Sequence, residues 1–477
     1  MPWIVVALVC SDVKGCLSIA ISWVMIELTS LTSLQTKATT IQSTVSEYGK
    51  IKSAVSTLRD LSVKLASTTT WGQTTATSSN AAVAVSTNNS AAGTYSVEVQ
   101  TLASVQTLAG GVTALTATPG AGTLHIELGT WGAGQTTFVP KSGASAVDVT
   151  VTATDTLSNV RDKINSAGAG VTALIMTDAS GSRLLIRSND TGAANAFRTS
   201  VTDADGVNTD AAGLSALAFD PSSGVAVMTQ NQVAANAAAT INGLAVTSAS
   251  NTLSNIVDGL TLTLTARTTG PVNINVVTDT DSLKKTITDF AAAYSAVVKL
   301  IATDTKYDPV AKAGGILQGD SAAVGLQRQL RSLASATSGA SSMFSHLSDV
   351  GLQLQADGSM TVNATTLGNA LSNTAELKKV FSNSSLVDPT LDGFGKRFRV
   401  VTDSLLGVDG ALTTRTDGLG QQLQRNQKDQ DALNIRLAAI EKRMRAQYTA
   451  LDATMATLNS QSSYITQQIA AWAANKG

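Results

Sequence analysis

A chain of 477 residues has room for two to four domains of about 100–200 residues each, and its 43% apolar content is ample for packed cores. Charged residues make up only 14%, against a usual share of about 25%, so Ser, Thr, Asn and Gln must furnish much of the surface. With 33 basic and 34 acidic residues the chain lacks the field that sequence-independent nucleic-acid binding needs, and with Cys10 and Cys16 as its only cysteines it has no disulfide framework or zinc cluster beyond them.

Met1 to Val9 is apolar with no basic stretch before it, and Asp12 and Lys14 separate it from the apolar run Leu17 to Leu28. Neither part reaches the roughly 18–20 residues of a membrane span. Lys14 beside Gly15-Cys16 argues against a lipoprotein cleavage site. The opening reads as an unusual or misassigned start, and no membrane insertion is expected.

From Leu31 a clean pattern begins. Leu31, Leu34, Ala38, Ile41, Val45 and Tyr48, then Ile51, Val55, Leu58, Leu61 and Leu65, recur in steps of three and four. That spacing predicts one apolar helical face with the period of a coiled-coil seam. Gly49 interrupts it at a cost of about 1 kcal/mol relative to Ala. The helix is expected to stop near Thr68-Thr69-Thr70.

Residues 71–279 are of another kind. Short alternating runs such as Tyr95 to Val99, Thr123 to Leu128, Val147 to Val151, Arg183 to Arg187 and Leu260 to Ala266 lie between Gly, Asn and Ser turns. Alternation with β-branched residues predicts strands with one buried face. Thr156 can cap a single helix carrying Leu157, Val160 and Ile164, which makes a strand–helix–strand unit. The stretch 200–240, rich in Ala, Asn and Asp, reads as loops.

The helical period returns at Asp281, with Leu283, Ile287, Phe290, Tyr294, Val297 and Ile301 on one face and Asp281 or Ser282 as cap. A second helix is expected from Asp320-Ser321 to about Leu333. A hairpin follows, Val350 to Leu354 and Met360 to Val362, around Asp357-Gly358.

The strongest pattern is the last. Leu433, Leu437, Ile440 and Met444 step by four and three, and Tyr448, Leu451, Met455, Leu458, Ser462, Ile465, Ile469 and Trp472 continue it after an extra step of four. Such a stutter locally unwinds a supercoil. From Leu433 to Ile469 the helix would run roughly 55 Å at 1.5 Å per residue. A lone helix cannot bury this stripe, and each large apolar side chain left in water forgoes about 1.5–3 kcal/mol. The partner is either the first helix or a neighbouring subunit. Gln421 to Gln430 is weakly apolar and reads as an exposed helix face, with a hinge as the sharper alternative.

Chemical sites are scarce. His125 sits at a strand position and His346 in a Ser-rich loop, neither with a metal-binding or catalytic companion nearby in sequence. Gly168-Ala169-Gly170-Val171-Thr172-Ala173 follows a helix and opens a strand, the reverse of a dinucleotide site, and reads as a turn. Asp203, Asp205, Asn208 and Asp210 depart from the spacing of an EF-hand loop and read as a solvated turn. No catalytic set, cofactor or metal is assigned, and an enzyme is not expected.

The fold class expected is thus α+β multidomain, with terminal coiled-coil helices forming a stalk and β-rich domains inserted between them. An atypical segment and the start of the stalk helix take 1–40, and a helical part takes 41–71. A first β-domain takes 72–115 and 236–279, around a second, outer β-domain with one helix at 116–235. A helical domain with the hairpin takes 280–429, and the C-terminal stalk helix takes 430–477. The seam residues are Leu31, Leu34, Ile41, Val45, Tyr48, Val55 and Leu58 in the first helix. In the last they are Leu433, Leu437, Ile440, Met444, Tyr448, Leu451, Met455, Leu458, Ile465 and Ile469.

Particular words of the sequence carry a resemblance. Leu34-Gln35-Thr36-Lys37 and Ser46 to Ala54, Gly93 to Val99, Thr156 to Asn165 with Gly170 to Ala173, Asn251 to Leu253 with Gly259 to Leu262, Leu317 to Ser321, and Val350 to Leu352 with Asp357-Gly358 follow one another in order. Together they resemble the bacterial flagellar filament cap family, hook-associated protein two. The resemblance implies a secreted protein at the distal tip of the flagellar filament, forming a homo-oligomeric ring of a few subunits, five being the expected number. Stalk helices would point to the growing end, and β-domains would form a plate that retains exported flagellin while it folds and polymerises. Flagellin, other hook-associated proteins and an export chaperone are the implied partners. Residues 1–30 depart from the family pattern. An adhesin binding glycans through its β-domains, or a hook–filament junction protein, are the alternatives.

Overall fold

The computed structural model describes the main chain of residues 13–310 and 312–474 and the side chains of 25–310 and 312–473. The apolar opening with Trp3, Cys10 and the side chains of Cys16 and Trp23 lies outside these described residues. In chain order the helices are α1 (Val13–Ala66), α2 (Leu157–Ser166), α3 (Thr280–Thr305), α4 (Ser321–Ala334), α5 (Ala364–Leu371), α6 (Thr374–Ser382), α7 (Phe394–Leu406) and α8 (Ala411–Ala474), with short turns besides. None of the described helices is long and apolar enough to cross a membrane. The chain divides into a helical unit, up to Trp71 and from Thr280 onward, and a β-rich unit, Gly72–Asp279.

In the helical unit the stripe of α1 does what its period dictates. Tyr48, Ile51, Val55, Leu58 and Leu65 are fully buried and share one core with Leu283, Ile287, Phe290, Tyr294 and Val297 of α3, Phe394 and Phe398 of α7, and Leu412 and Leu419 of α8. Phe398 sits edge-on to Phe290 at 5.1 Å and to Tyr294 at 6.0 Å, the offset geometry that aromatic quadrupoles favour. Gly49 faces open space, so the break in the stripe costs no packing. The helix ends at Ala66, and a separate turn, Thr68–Trp71, folds back so that the Trp71 indole N–H donates to the Leu65 carbonyl at 2.8 Å and the ring stacks on Phe381. Gly395 lets α7 lie directly on the end of α1: a Cβ there would meet the Ala66 nitrogen at 2.8 Å. The hairpin Leu352–Leu354 with Met360–Val362 is pinned to α3, because the Ser295 hydroxyl donates to the Met360 carbonyl and accepts from its N–H, both at 2.8 Å.

The β-rich unit holds two separate apolar cores. One lies between a five-stranded sheet, ordered Thr74–Ser78, Val272–Thr278, Gly93–Thr101, Ala237–Ile241, Leu244–Ser248, and a three-stranded sheet of Thr252–Val257, Leu260–Leu264 and Val83–Thr87. The other is filled by Leu124, Ile126, Val149, Val160, Ile164, Ile186, Phe197 and Phe219. It is built from a sheet centred on Gly122–Trp131, a four-stranded sheet ordered Thr229–Gln232, Thr107–Ala109, Gly181–Ser188, Val171–Asp178, and helix α2. α2 begins as its sequence predicts, with Thr156 and Asn159 closing a capping box.

The stretch 200–240 is not loop throughout. Ala196–Asp203, Phe219–Asp220, Val225–Ala226, Thr229–Gln232 and Ala237–Ile241 are strands, and Leu214, Leu217, Phe219 and Met228 are buried. Ala-rich strands carry little β-propensity, and their pairing to distant partners overrides it. Ala237 and Ala239 alternate inward like any larger residue.

Candidate functional site

The terminal seams meet, but over only part of their length. α1 and α8 run antiparallel, so Lys52 lies beside Thr413 and Glu27 pairs with Arg436 at 3.1 Å. Ile41, Tyr48, Val55 and Leu58 are buried in the unit's own core, whereas Leu31, Leu34 and Val45 are half-buried. On α8 Leu433 is buried, and Leu437, Ile440 and Met444 are half-buried. Beyond the stutter, Tyr448, Leu451, Met455, Leu458, Ile465 and Ile469 are 39–62% exposed. Met25, Leu28, Leu437, Ala438, Met444 and Tyr448 line an open depression between α1 and α8.

This outer segment of α8 is a continuous helical face of large apolar side chains. It has no chemistry to offer except burial. The weakly apolar stretch 421–430 contains no break: α8 runs unbroken from Ala411, which argues against a hinge there. Asn426 is buried on the seam side and accepts from the Gln430 amide at 2.6 Å, while Gln421, Gln422, Gln424 and Gln427 are exposed.

The base of the seam is fastened by a polar cluster. Asp320 caps α4, accepting from the N–H groups of Ala322 and Ala323. The same carboxylate accepts from the Tyr48 hydroxyl of α1 at 2.6 Å and from Arg415 of α8 at 2.7 and 3.0 Å. Burial pushes the Asp320 carboxyl up, but the hydrogen bonds from Tyr48 and Arg415 and the cap outweigh it and hold it below the ordinary range. Burial, followed by the bond to Asp320, pushes the Tyr48 phenol far above its usual value. The sequence placed only a helix start at Asp320-Ser321. Its ties to Tyr48 and Arg415 cross 272 and 95 residues and carry no local signal.

Elsewhere, strand pairing makes one polar group that the sequence reading missed. Asp148 lies opposite His125, its carboxylate 2.5 Å from Nδ1, and Thr202 Oγ1 is 3.1 Å from Nε2. His346 instead stands before a short turn beside Asp349. The Asp203 carboxylate is taken up by the N–H and hydroxyl of Ser215, and Asn208 accepts from its N–H. No cluster of three or more His, Cys, Asp or Glu with metal-binding geometry occurs among the described residues.

Family models for the N-terminus and C-terminus of flagellar hook-associated protein 2 match residues 18–106 and 234–460, and a flagellin hook IN motif matches 132–190. Flagellar hook-associated protein 2 of Escherichia coli K12 is 32% identical over 92% of this chain and 92% of its own. The chain belongs to the flagellar hook-associated protein 2 family. A further member, the B-type protein of Pseudomonas aeruginosa, is 30% identical over 92% of this chain and 91% of its own. The crystal structure of domains D1-D2-D3 of the flagellar cap protein FliD from Escherichia coli superposes with a TM-score of 0.62 at 28% identity, covering 78% of this chain and 99% of that one. The family is a structural one.

Proposed function

We propose that the chain caps the distal tip of the flagellar filament as a homo-oligomeric ring, retaining exported flagellin and promoting its folding and addition. The observation that carries this is the outer half of α8. Its apolar face is exposed from Tyr448 to Ile469, and the described part of α1 covers only the inner half. Such a face is stable in water only when another surface meets it, and coiled-coil period fits it to helices of like pattern. Family membership and the likeness to a flagellar cap protein favour this reading over an adhesin or a hook–filament junction protein. Flagellin, retained beneath the ring, is the partner this role requires.

Removing residues 430–477 tests the proposal. Cells carrying the truncated chain are expected to release soluble flagellin and to build no filament. Filaments of normal length in that strain would overturn the cap role. Electron microscopy of the purified full chain is expected to show closed rings, and their subunit number follows from the same images.

A further inference from the structure

The strand Val171–Asp178 forms the edge of its four-stranded sheet and pairs only with Gly181–Ser188. An edge strand presents a row of unpaired main-chain groups, which proteins usually cover. Here the covering is partial. The side-chain amide of Asn165, on α2, imitates a neighbouring strand: its Nδ2 donates to the Ala173 carbonyl at 2.9 Å, and its Oδ1 accepts from the Ala173 N–H at 2.7 Å. Ala173 therefore points its main chain away from Gly181–Ser188. In an antiparallel ladder that direction alternates, so Ile175 and Thr177 point their N–H and C=O groups outward as well. Nothing among the described residues takes them up.

The side chains beside this open stretch are apolar. Leu174 and Met176 are 38% and 45% exposed, and Leu174 lies opposite Leu185. Arg187, opposite Thr172, and Arg183, opposite Met176 and paired with Asp178 at 3.3 Å, flank the row. Donors and acceptors repeating every second residue are matched only by another extended chain. The open length is short, bounded by the Asn165 amide on one side and by the tight turn at Ala179-Ser180 on the other.

We infer that the edge from Leu174 to Asp178 receives a short extended segment of an unfolded protein chain, apolar at alternate positions and acidic at its ends, as a transient fifth strand. This rests on the cap reading, in which flagellin reaches the protein before it has folded. The short open edge suits a contact made and released repeatedly, and the Asn165 amide sets its register.

Fluorescence anisotropy of the full chain with a fluorescein-labelled decapeptide alternating Val and Thr, with Glu at both ends, tests it. Wild type is expected to bind. Thr177→Pro removes one outward N–H and leaves the ladder intact, since proline is tolerated where an edge N–H faces solvent. It is expected to weaken binding at least fivefold, with the melting temperature lowered only by loss of the bond between the Thr177 and Ser182 hydroxyls, and Met176→Lys is expected to weaken binding as much with an unchanged melting temperature. Asn165→Ala uncovers Ala173, lengthens the open edge and is expected to strengthen binding. No binding by wild type, or equal binding by Thr177→Pro, overturns the inference. So does a dimer in light scattering that Thr177→Pro dissolves while the peptide stays unbound, because the edge then serves a second copy of the chain. If the peptide arms fail while truncation of 430–477 still releases flagellin, the edge assignment falls and the cap reading stands.

Discussion

Replacing Leu458 and Ile465 together by serine separates the seam's role in assembly from its role in folding. The two lie one heptad apart on the outer part of α8 and are 53% and 56% exposed. Fully burying such a side chain is worth about 1.5–3 kcal/mol. About half of each remains to be buried, so each has about 1 kcal/mol to give to an interface. The pair is expected to weaken association by about 2 kcal/mol per contact, roughly thirtyfold in the association constant. Because neither side chain supports the described core, the melting temperature of the subunit should barely move, as for other surface changes within about 0.5 kcal/mol. Ile435 is the control: it is 73% exposed but off the seam, and Ile435→Ser should alter neither property. Sedimentation equilibrium reads the association and circular dichroism reads the melt. Unchanged association in the double variant, or a loss equal to that of Ile435→Ser, would refute the assignment of this face to assembly. A fall of many degrees in the melt would show that the face is already buried within the subunit.

Asp320→Asn keeps a capping oxygen but loses the charge facing Arg415, and should cost about 2 kcal/mol, a figure tempered by the guanidinium's partial exposure. Tyr48→Phe should cost about 1 kcal/mol, and the double variant should cost less than the sum, because both act through one carboxylate. The Asp320 carboxyl is held low in the folded state, so its stabilisation is complete above the ordinary carboxyl range of about 4 and disappears as pH falls through the lowered value. The gap between wild type and Asp320→Asn should therefore close in acid, whereas Asp304, pushed up by burial and then by Glu47, titrates equally in both; a gap constant down to pH 2 would refute the clasp. Gly395→Ala places a methyl 2.8 Å from the Ala66 nitrogen and the Phe381 carbonyl oxygen, and should destabilise the helical unit by about 1–3 kcal/mol in denaturant titration. Gln106, fully buried, accepts from the Phe197 N–H and the Trp131 indole and donates to the Phe197 carbonyl. Gln106→Leu strands those groups at about 1–3 kcal/mol each, and hydrogen exchange should rise in residues 72–279 and not in α1.

How much of this was legible follows from how far apart the interacting residues are. The faces of α1, α3 and α8 are written in steps of three and four, so Tyr48, Ile287 and Leu433 announce their burial locally. Helix starts are equally local, which is why Thr156 could be read as a cap and a helix placed from Asp320-Ser321. Strand pairing is another matter. His125 meets Asp148, and Ala239 finds Val99, through registers that no window of a few residues contains. The Ala-rich strands near residue 237 read as loop for that reason: their neighbours make them strands.

The same distinction governs the two ends of α8. Its period carries one local mark, the extra step of four between Met444 and Tyr448, but no sign of which partner either side meets. The structure places the change at Met444 to Tyr448, where Met444 is still half-covered and Tyr448 is 43% exposed. The extra step of four falls at the same place, and such a stutter locally unwinds a supercoil. The inner seam is fastened within the subunit, through Leu433 above and Asp320 with Arg415 at the base. The outer seam leaves its large apolar side chains exposed. A helix covered along its inner half and left apolar and exposed along its outer half is stable as a subunit and still unsatisfied as one, which is the condition the proposed ring requires of its parts.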